Sequence, residues 1–317
     1  MLSTGDFRVD VASGLSLGRR ARQEDAVVTD FAMGAPFGFA VLSDGMGGHA
    51  AGDVAANIVV TELFSELKMR CDDVEAFEVD LEDILLDAVE GANNCVALYA
   101  QENPEAFGMG ATLVAPILFA NRLYWVSVGD SPLYLFRDGQ LLRLNEDHSY
   151  AAELDHLRAQ GICDQEEALS HPDRNCLTSV LSGGAVARID CRSEPLALQD
   201  GDIVVAASDG LLSLGDSDIA AILAQTASQP SNAIGRALMT AVDGLGHPDQ
   251  DNLSFCVIKL ARSETGQMAD DQPAPVEFMA DMPASADRGA EVVRIDRRSQ
   301  NGSVRTVFCM SRKAGQR

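Results

Sequence analysis

Five short acidic motifs recur along this chain, at the ends of apolar runs or in tight turns, and they constrain its fold more than any other feature. They are Arg20-Ala21-Arg22-Gln23-Glu24-Asp25, Ser43-Asp44-Gly45-Met46-Gly47-Gly48-His49, Gly129-Asp130-Ser131, Ser208-Asp209-Gly210 and Asp249-Gln250-Asp251-Asn252. An aspartate at the end of an apolar strand sits close to low-dielectric surroundings, where its charge is costly unless something positive compensates it. Several such aspartates brought together repel one another and take up protons. A divalent cation removes that conflict, and carboxylate and carbonyl oxygens are hard ligands that suit Mg²⁺ or Mn²⁺ rather than zinc. Asp-Gly is also a common turn dipeptide, so any one of these motifs alone reads as a turn. Asp138-Gly139, flanked by Leu133–Arg137 and Gln140–Leu144, is read as a plain hairpin turn of this kind.

The apolar runs outline the rest. Phe37 to Leu42 reads as a buried strand that stops at Ser43-Asp44-Gly45. Gly47-Gly48 opens a helix to about Arg70, with Val60, Leu63, Phe64 and Leu67 on one face. A second helix near 80–102 carries Leu81, Leu85, Ala88, Ala92, Cys95 and Tyr99 on its stripe. Strands are expected at Ala111–Ala120 and Leu123–Val128, joined by a turn at Asn121-Arg122, and again at Ile203–Ala207 and Asn252–Leu260. Between the last two lie helices near 217–228 and 231–243, while 145–190 reads as a polar region of helix and loop. Strands in runs with helices in pairs imply sheet packed on sheet with helices outside.

A net charge of −24 argues against a nucleic-acid partner, because a polyanion repels so acidic a surface. The seven cysteines, at 71, 95, 163, 176, 191, 256 and 309, form no C-x-x-C pair and fit reduced thiols. MLSTGDFRVD carries acids where a signal peptide needs a basic start, and no apolar run is long enough to span a bilayer. The expected location is the cytoplasm, with no membrane span.

In this order the motifs resemble those of the metal-dependent, type 2C serine/threonine protein phosphatases in their bacterial form, over roughly residues 10–262. Gly108-Met109-Gly110-Ala111-Thr112 resembles the family's glycine-threonine motif, and His171-Pro172-Asp173-Arg174-Asn175 with Leu177-Thr178 resembles the segment closing its flap. The resemblance implies an α+β fold, a four-layer α-β-β-α sandwich with a metal site at the edge of two packed antiparallel sheets. It implies two Mn²⁺ or Mg²⁺ ions in the core site, with a third beside them. Asp44 matches the aspartate that bridges two metals, and Gly45 the residue whose carbonyl faces them. Asp209 and Asp251 match further ligands of the first metal. Glu24 matches a ligand of the second, mostly through water, with Asp25 its acidic neighbour. Asp130 matches a ligand of the third metal, and Arg20 the arginine that grips the substrate phosphate. His49 is a candidate general acid, with a helix-start histidine as the alternative. Pro132 stands where many bacterial relatives have arginine.

The implied activity is hydrolysis of phosphoserine and phosphothreonine in proteins by a metal-activated water, opposing a serine/threonine kinase. The implied partners are phosphorylated proteins, and the chain is expected to be a monomer. Two other readings stay open: a non-catalytic regulator on the same fold, and another metal-dependent hydrolase such as a nuclease, against which the acidity weighs.

After Arg262 the composition changes. Residues 263–290, rich in Ala, Asp, Pro, Met and Ser, read as a flexible linker. The basic tail 291–317 reads either as disordered or as a hairpin turning at Asn301-Gly302, with Val293 and Ile295 facing Val304, Thr306 and Phe308.

Overall fold

The computed structural model describes residues 7–32, 37–47, 51–71, 73–162, 164, 166, 170–174 and 176–262, and the backbone alone of 279–280, 298–300 and 303–305. In chain order the elements are β1 (Phe7–Ser16), β2 (Asp25–Phe31), β3 (Phe37–Met46), α1 (Gly52–Arg70), α2 (Val74–Val79), α3 (Leu81–Glu102), β4 (Gly110–Ala111), β5 (Leu113–Phe119), β6 (Arg122–Val128), β7 (Leu133–Arg137), β8 (Gln140–Arg143), α4 (Tyr150–Ala159), β9 (Asp190–Ala197), β10 (Ile203–Ala207), α5 (Asp216–Thr226), α6 (Ser231–Gly244) and β11 (Leu253–Arg262). Three short strands follow: β12 (Met279–Ala280), β13 (Arg298–Gln300) and β14 (Ser303–Arg305).

Two sheets form. One runs β12-β1-β11-β10-β7-β8 and the other β2-β3-β5-β6-β9, with β4 paired to the end of β3. Every pairing is antiparallel except that of β12 with β1. Strand periodicity assigns the layers, since successive side chains point to opposite faces. Phe39 and Val41 of β3, with Leu113, Ala115, Ile117 and Phe119 of β5, pack in one core with Leu63 and Leu67 of α1 and Leu85 and Val89 of α3. The residues between them, Ala40, Leu42, Val114 and Leu118, meet Val204, Ala206, Cys256 and Ile258 of the other sheet. On the far side, Val205, Phe255 and Val257 pack against Ile219 and Leu223 of α5 and Ile234 and Leu238 of α6. The order is helices, sheet, sheet, helices, which is the expected four-layer sandwich. Truncating a side chain from the middle layer, such as fully buried Leu42 to Ala, costs about 2–5 kcal/mol.

Two expectations shift in detail. The first helix starts at Gly52 rather than at Gly47-Gly48. The β5–β6 turn is Ala120-Asn121, with Ala120 at φ 54°, and not Asn121-Arg122. Arg122 is instead held in β6 by paired bonds of 2.6 Å from its Nε and Nη2 to Glu78 of α2. The Asp138-Gly139 turn forms with both residues at positive φ, 51° and 79°.

The chain divides into two compact units, Met1–Asp281 and Met282–Arg317. In the first, Met279–Ala280 lies along Gly14–Leu15, within the stretch expected as linker. In the second, Arg298–Gln300 pairs with Ser303–Arg305, with Gln300 opposite Ser303. Val293, Ile295, Asn301, Gly302, Thr306 and Phe308 of the expected hairpin lie outside the described residues. Among the described residues no helix is long and apolar enough to cross a membrane.

Candidate metal centre

The antiparallel register carries four of the five motifs to one edge of the sandwich. Asp25, at the start of β2, stands opposite Asp44, near the end of β3. Asp209 lies two residues beyond β10, and Asp251 precedes its partner strand β11 by two residues. Asp130, two residues beyond β6, completes the ring. Arg20, Glu24, Asp44, Gly45, Asp130, Asp209 and Asp251 line one cavity of about 560 Å³, closed on one side by Cys176, Leu177 and Val180 of the flap.

Local bonds explain how each group is held. The Gly45 N–H donates to the Glu24 carbonyl at 3.0 Å, locking the two acidic motifs together. Only glycine fits there, because a Cβ at Gly45 would stand 2.0 Å from the Gly52 carbonyl oxygen. Asn252 accepts from the Glu24 N–H at 2.8 Å and donates to the Leu17 carbonyl at 2.9 Å, so it fixes the loop that bears Arg20. Arg20 is half-exposed at the lip and pairs through Nη2 with Asp251 Oδ2 at 2.6 Å. Arg143 donates from Nη2 to the Asp130 carbonyl at 2.7 Å and from Nη1 to Asp147 at 2.7 Å. Pro132 accepts from the Ala207 N–H at 3.0 Å, and so ties the Asp130 loop to the strand before Asp209.

Asp25 is placed differently from the other acids. It is 6% exposed and does not line the cavity; its Oδ2 accepts from Ser208 Oγ at 2.7 Å. Ser208 Oγ also accepts from the Ser254 N–H at 2.9 Å. Asp25 therefore braces the Asp209 segment from behind the ring. His49 lies outside the described residues. A different histidine, His148, is fully buried beside the Asp130 loop, its Nδ1 accepting from the Gly129 N–H at 3.2 Å. His148, Arg143 and Asn145 are single polar residues with no motif around them, so nothing in the sequence marks them.

The electrostatics are those of crowded acids whose burial and mutual repulsion outweigh the nearby Arg20 and Arg143 charges. Burial, then the Asp25 and Asp209 charges, hold the Asp44 carboxyl well above the usual carboxylate range. Burial and the Asp251 charge raise Asp209, and burial and Asp53 raise Glu24. Burial, followed by Asp209 and Asp147, pushes Asp130 up to about 6, and burial pushes Asp25 up to about 7.

The donor set fits a hard divalent cation. Asp209 Oδ1 is buried with no hydrogen-bond partner, an arrangement that is costly unless a cation faces it. Among the described residues no three His, Cys, Asp or Glu side chains by themselves enclose an ion. The carboxylates ring a roomy basin instead, which suits a cation such as Mg²⁺ that keeps several of its waters.

Comparison with known proteins identifies the class. Residues 17–242 match the family described as Protein phosphatase 2C, and the chain belongs to that family. It is 34% identical over 248 residues to the serine/threonine protein phosphatase PstP of Mycobacterium tuberculosis, a match covering 78% of this chain and 44% of PstP. It is 35% identical over 174 residues to the serine/threonine phosphatase stp of Listeria welshimeri, covering 55% of this chain and 66% of that one. The chain thus spans under half of the first relative and just under two thirds of the second. The crystal structure of the catalytic domain of PstP in complex with two manganese ions superposes with a TM-score of 0.60 at 30% identity, covering 81% of this chain and 99% of that chain.

Proposed function

We propose that residues 1–262 form a catalytic domain that hydrolyses phosphoserine and phosphothreonine in proteins, with Mn²⁺ or Mg²⁺ bound in the acidic basin. The observation that carries the reading is the convergence of carboxylates from separate strand ends on one cavity with an arginine at its lip. Asp44, Asp209, Asp251, Glu24 and the Gly45 carbonyl would hold two ions, and Asp130 with Asp209 a third. When bound, such ions supply a water of lowered pKa and neutralise charge on the phosphoryl oxygens.

The chain's own residues account for the remaining tasks. Arg20, half-exposed and paired with Asp251, can exchange that carboxylate for a phosphoryl oxygen, a charge-assisted bond of the same kind. Asn252 holds the Arg20 loop against Glu24, which fixes where the phosphate is gripped relative to the acids. Asp25, tied to Ser208, orients the Asp209 segment without entering the basin. Cys176, Leu177 and Val180 wall one side and limit which phosphorylated side chains reach the acids. The substrates would be phosphoproteins made by a serine/threonine kinase, and the net charge of −24 disfavours nucleic acid.

The test is phosphate release from a phosphoserine peptide in Mn²⁺, repeated after excess chelator and with Asp44→Asn. The expected result is turnover in Mn²⁺ that chelator and the substitution both abolish. Undiminished turnover in chelator, or a phosphodiester cleaved in preference to the peptide, would overturn the reading.

A further inference from the structure

Asp44 and the Asp130 loop leave different strands of the same sheet, yet one buried side chain touches both. Thr112 lies between β4 and β5 and is 1% exposed. Its Oγ1 accepts from the Asp44 N–H at 3.0 Å, and its own N–H donates to the Asp44 carbonyl at 2.8 Å. Ser43 Oγ donates to the Thr112 carbonyl at 2.6 Å. Thr112 thus holds the Asp44 backbone on both of its polar groups.

The other side of Thr112 faces the second loop. Its Oγ1 lies 2.7 Å from Ser131 Oγ, and either hydroxyl can donate. Its methyl fills the space at Gly129, whose φ is 103° and where a Cβ would come within 2.7 Å of Thr112 Cγ2. Ser131 is 1% exposed, and its carbonyl accepts from Asn145 Nδ2 at 2.9 Å. Asn145 also accepts from the Leu133 N–H at 2.7 Å, so the loop from Gly129 to Leu133 is pinned at both ends. A hydrogen-bonded line runs from the Asp44 amide through two hydroxyls to the residue after Asp130.

We propose that Thr112 is a positioning residue whose hydroxyl sets the Asp130 loop against Asp44, and so couples ion binding in the neighbouring site to the core site. The proposal rests on the assignment of Asp44 and Asp130 as ligands. Removing the hydroxyl leaves a buried amide and a buried Ser131 hydroxyl without their partner, a cost that the loop can relieve only by moving. Removing the methyl leaves the line intact. The two halves of the side chain therefore separate a positioning role from a packing role: Thr112→Val keeps the shape and loses the bond, while Thr112→Ser keeps the bond and loses the methyl.

Mn²⁺ titration calorimetry on the full chain, with thermal unfolding in chelator as the check on folding, tests this. Wild type should show a tight and a weaker class of sites. Thr112→Val should weaken the weaker class by about tenfold, the scale found when a partner that orients a ligand is lost. Thr112→Ser should restore it, and Ser131→Ala should weaken it as Thr112→Val does. The double variant Thr112→Val/Ser131→Ala should be no worse than either single one, because both break the same line. Unchanged affinities in folded Thr112→Val, a Thr112→Ser defect as large as that of Thr112→Val, or additive losses in the double variant would each overturn the proposal. If Thr112→Val does not fold, Ser131→Ala decides alone, since it leaves the Asp44 amide bonded. Wild type that binds no Mn²⁺ would sink the metal assignment itself, a different failure.

Discussion

Replacing Asp130 by Asn should stabilise the metal-free protein at neutral pH. Burial and the Asp209 and Asp147 charges push this carboxyl up to about 6 from an ordinary 3.8. Asp is then more protonated in the folded chain than in the unfolded one between these values, so stability falls as pH rises through that window. Below about 3 both states are protonated and no penalty exists; above about 7 the penalty is complete. The gap corresponds to about 3 kcal/mol, and solvent at this partly buried site lowers the expectation to about 1–3 kcal/mol. Asn is neutral at every pH and nearly isosteric, so it removes that term. Urea unfolding in excess chelator at pH 7.5 and pH 4 is the assay. The variant should be more stable by about 1–3 kcal/mol at pH 7.5 and by no more than about 0.5 kcal/mol at pH 4. In Mn²⁺ the sign should reverse, because the same change deletes a proposed ligand. A destabilised metal-free variant at pH 7.5, or a gain of equal size at pH 4, would refute the reasoning.

Further expectations concern the ring and the tail. Asp209→Ala and Asp251→Ala should each lower kcat by at least about a hundredfold while the folded state survives, read from phosphopeptide kinetics and circular dichroism. Wild-type rates from either would show that the ligand set is misassigned. Arg20→Lys should keep the charge but lose the planar donor fork, raising KM for a phosphopeptide more than it changes Mn²⁺ affinity. Truncation after Arg262 removes the two-residue pairing on Gly14–Leu15 and should cost no more than about 1 kcal/mol, with turnover retained. A larger loss on urea unfolding would show that the tail supports the catalytic unit.

Much of the fold was legible because its central strands are buried on both faces. Phe37–Leu42, Leu113–Phe119 and Ile203–Ala207 are continuous apolar runs, and they end where polar residues must meet solvent or an ion. Strands β1, β2 and β9 carry no such signal. In β1, Val9 and Val11 alternate with Arg8 and Asp10, but Ser13 and Gly14 break the pattern. β9, Asp190–Ala197, is largely exposed and polar; pairing with β6 makes it a strand, not its own composition. The acids were found by their motifs, since each sits beside a glycine or a strand end. Their supports were not. Asn145, Arg143 and His148 lie in or next to the polar 145–190 region, and only the folded chain brings them to Asp130. Asp25 shows the opposite limit: adjacency to Glu24 grouped it with the ligands, while strand alternation turns its side chain inward to Ser208.

The strand-end acids are proposed to form one centre for divalent cations. Diffraction from crystals grown in Mn²⁺, collected at the manganese absorption edge, tests it most directly. Anomalous density should appear in the basin beside the Asp44 carboxylate, the Gly45 carbonyl and Asp209 Oδ1, and should vanish in Asp44→Asn crystals grown the same way. Strong anomalous density elsewhere on a catalytically active protein, with none beside Asp44, would contradict the claim.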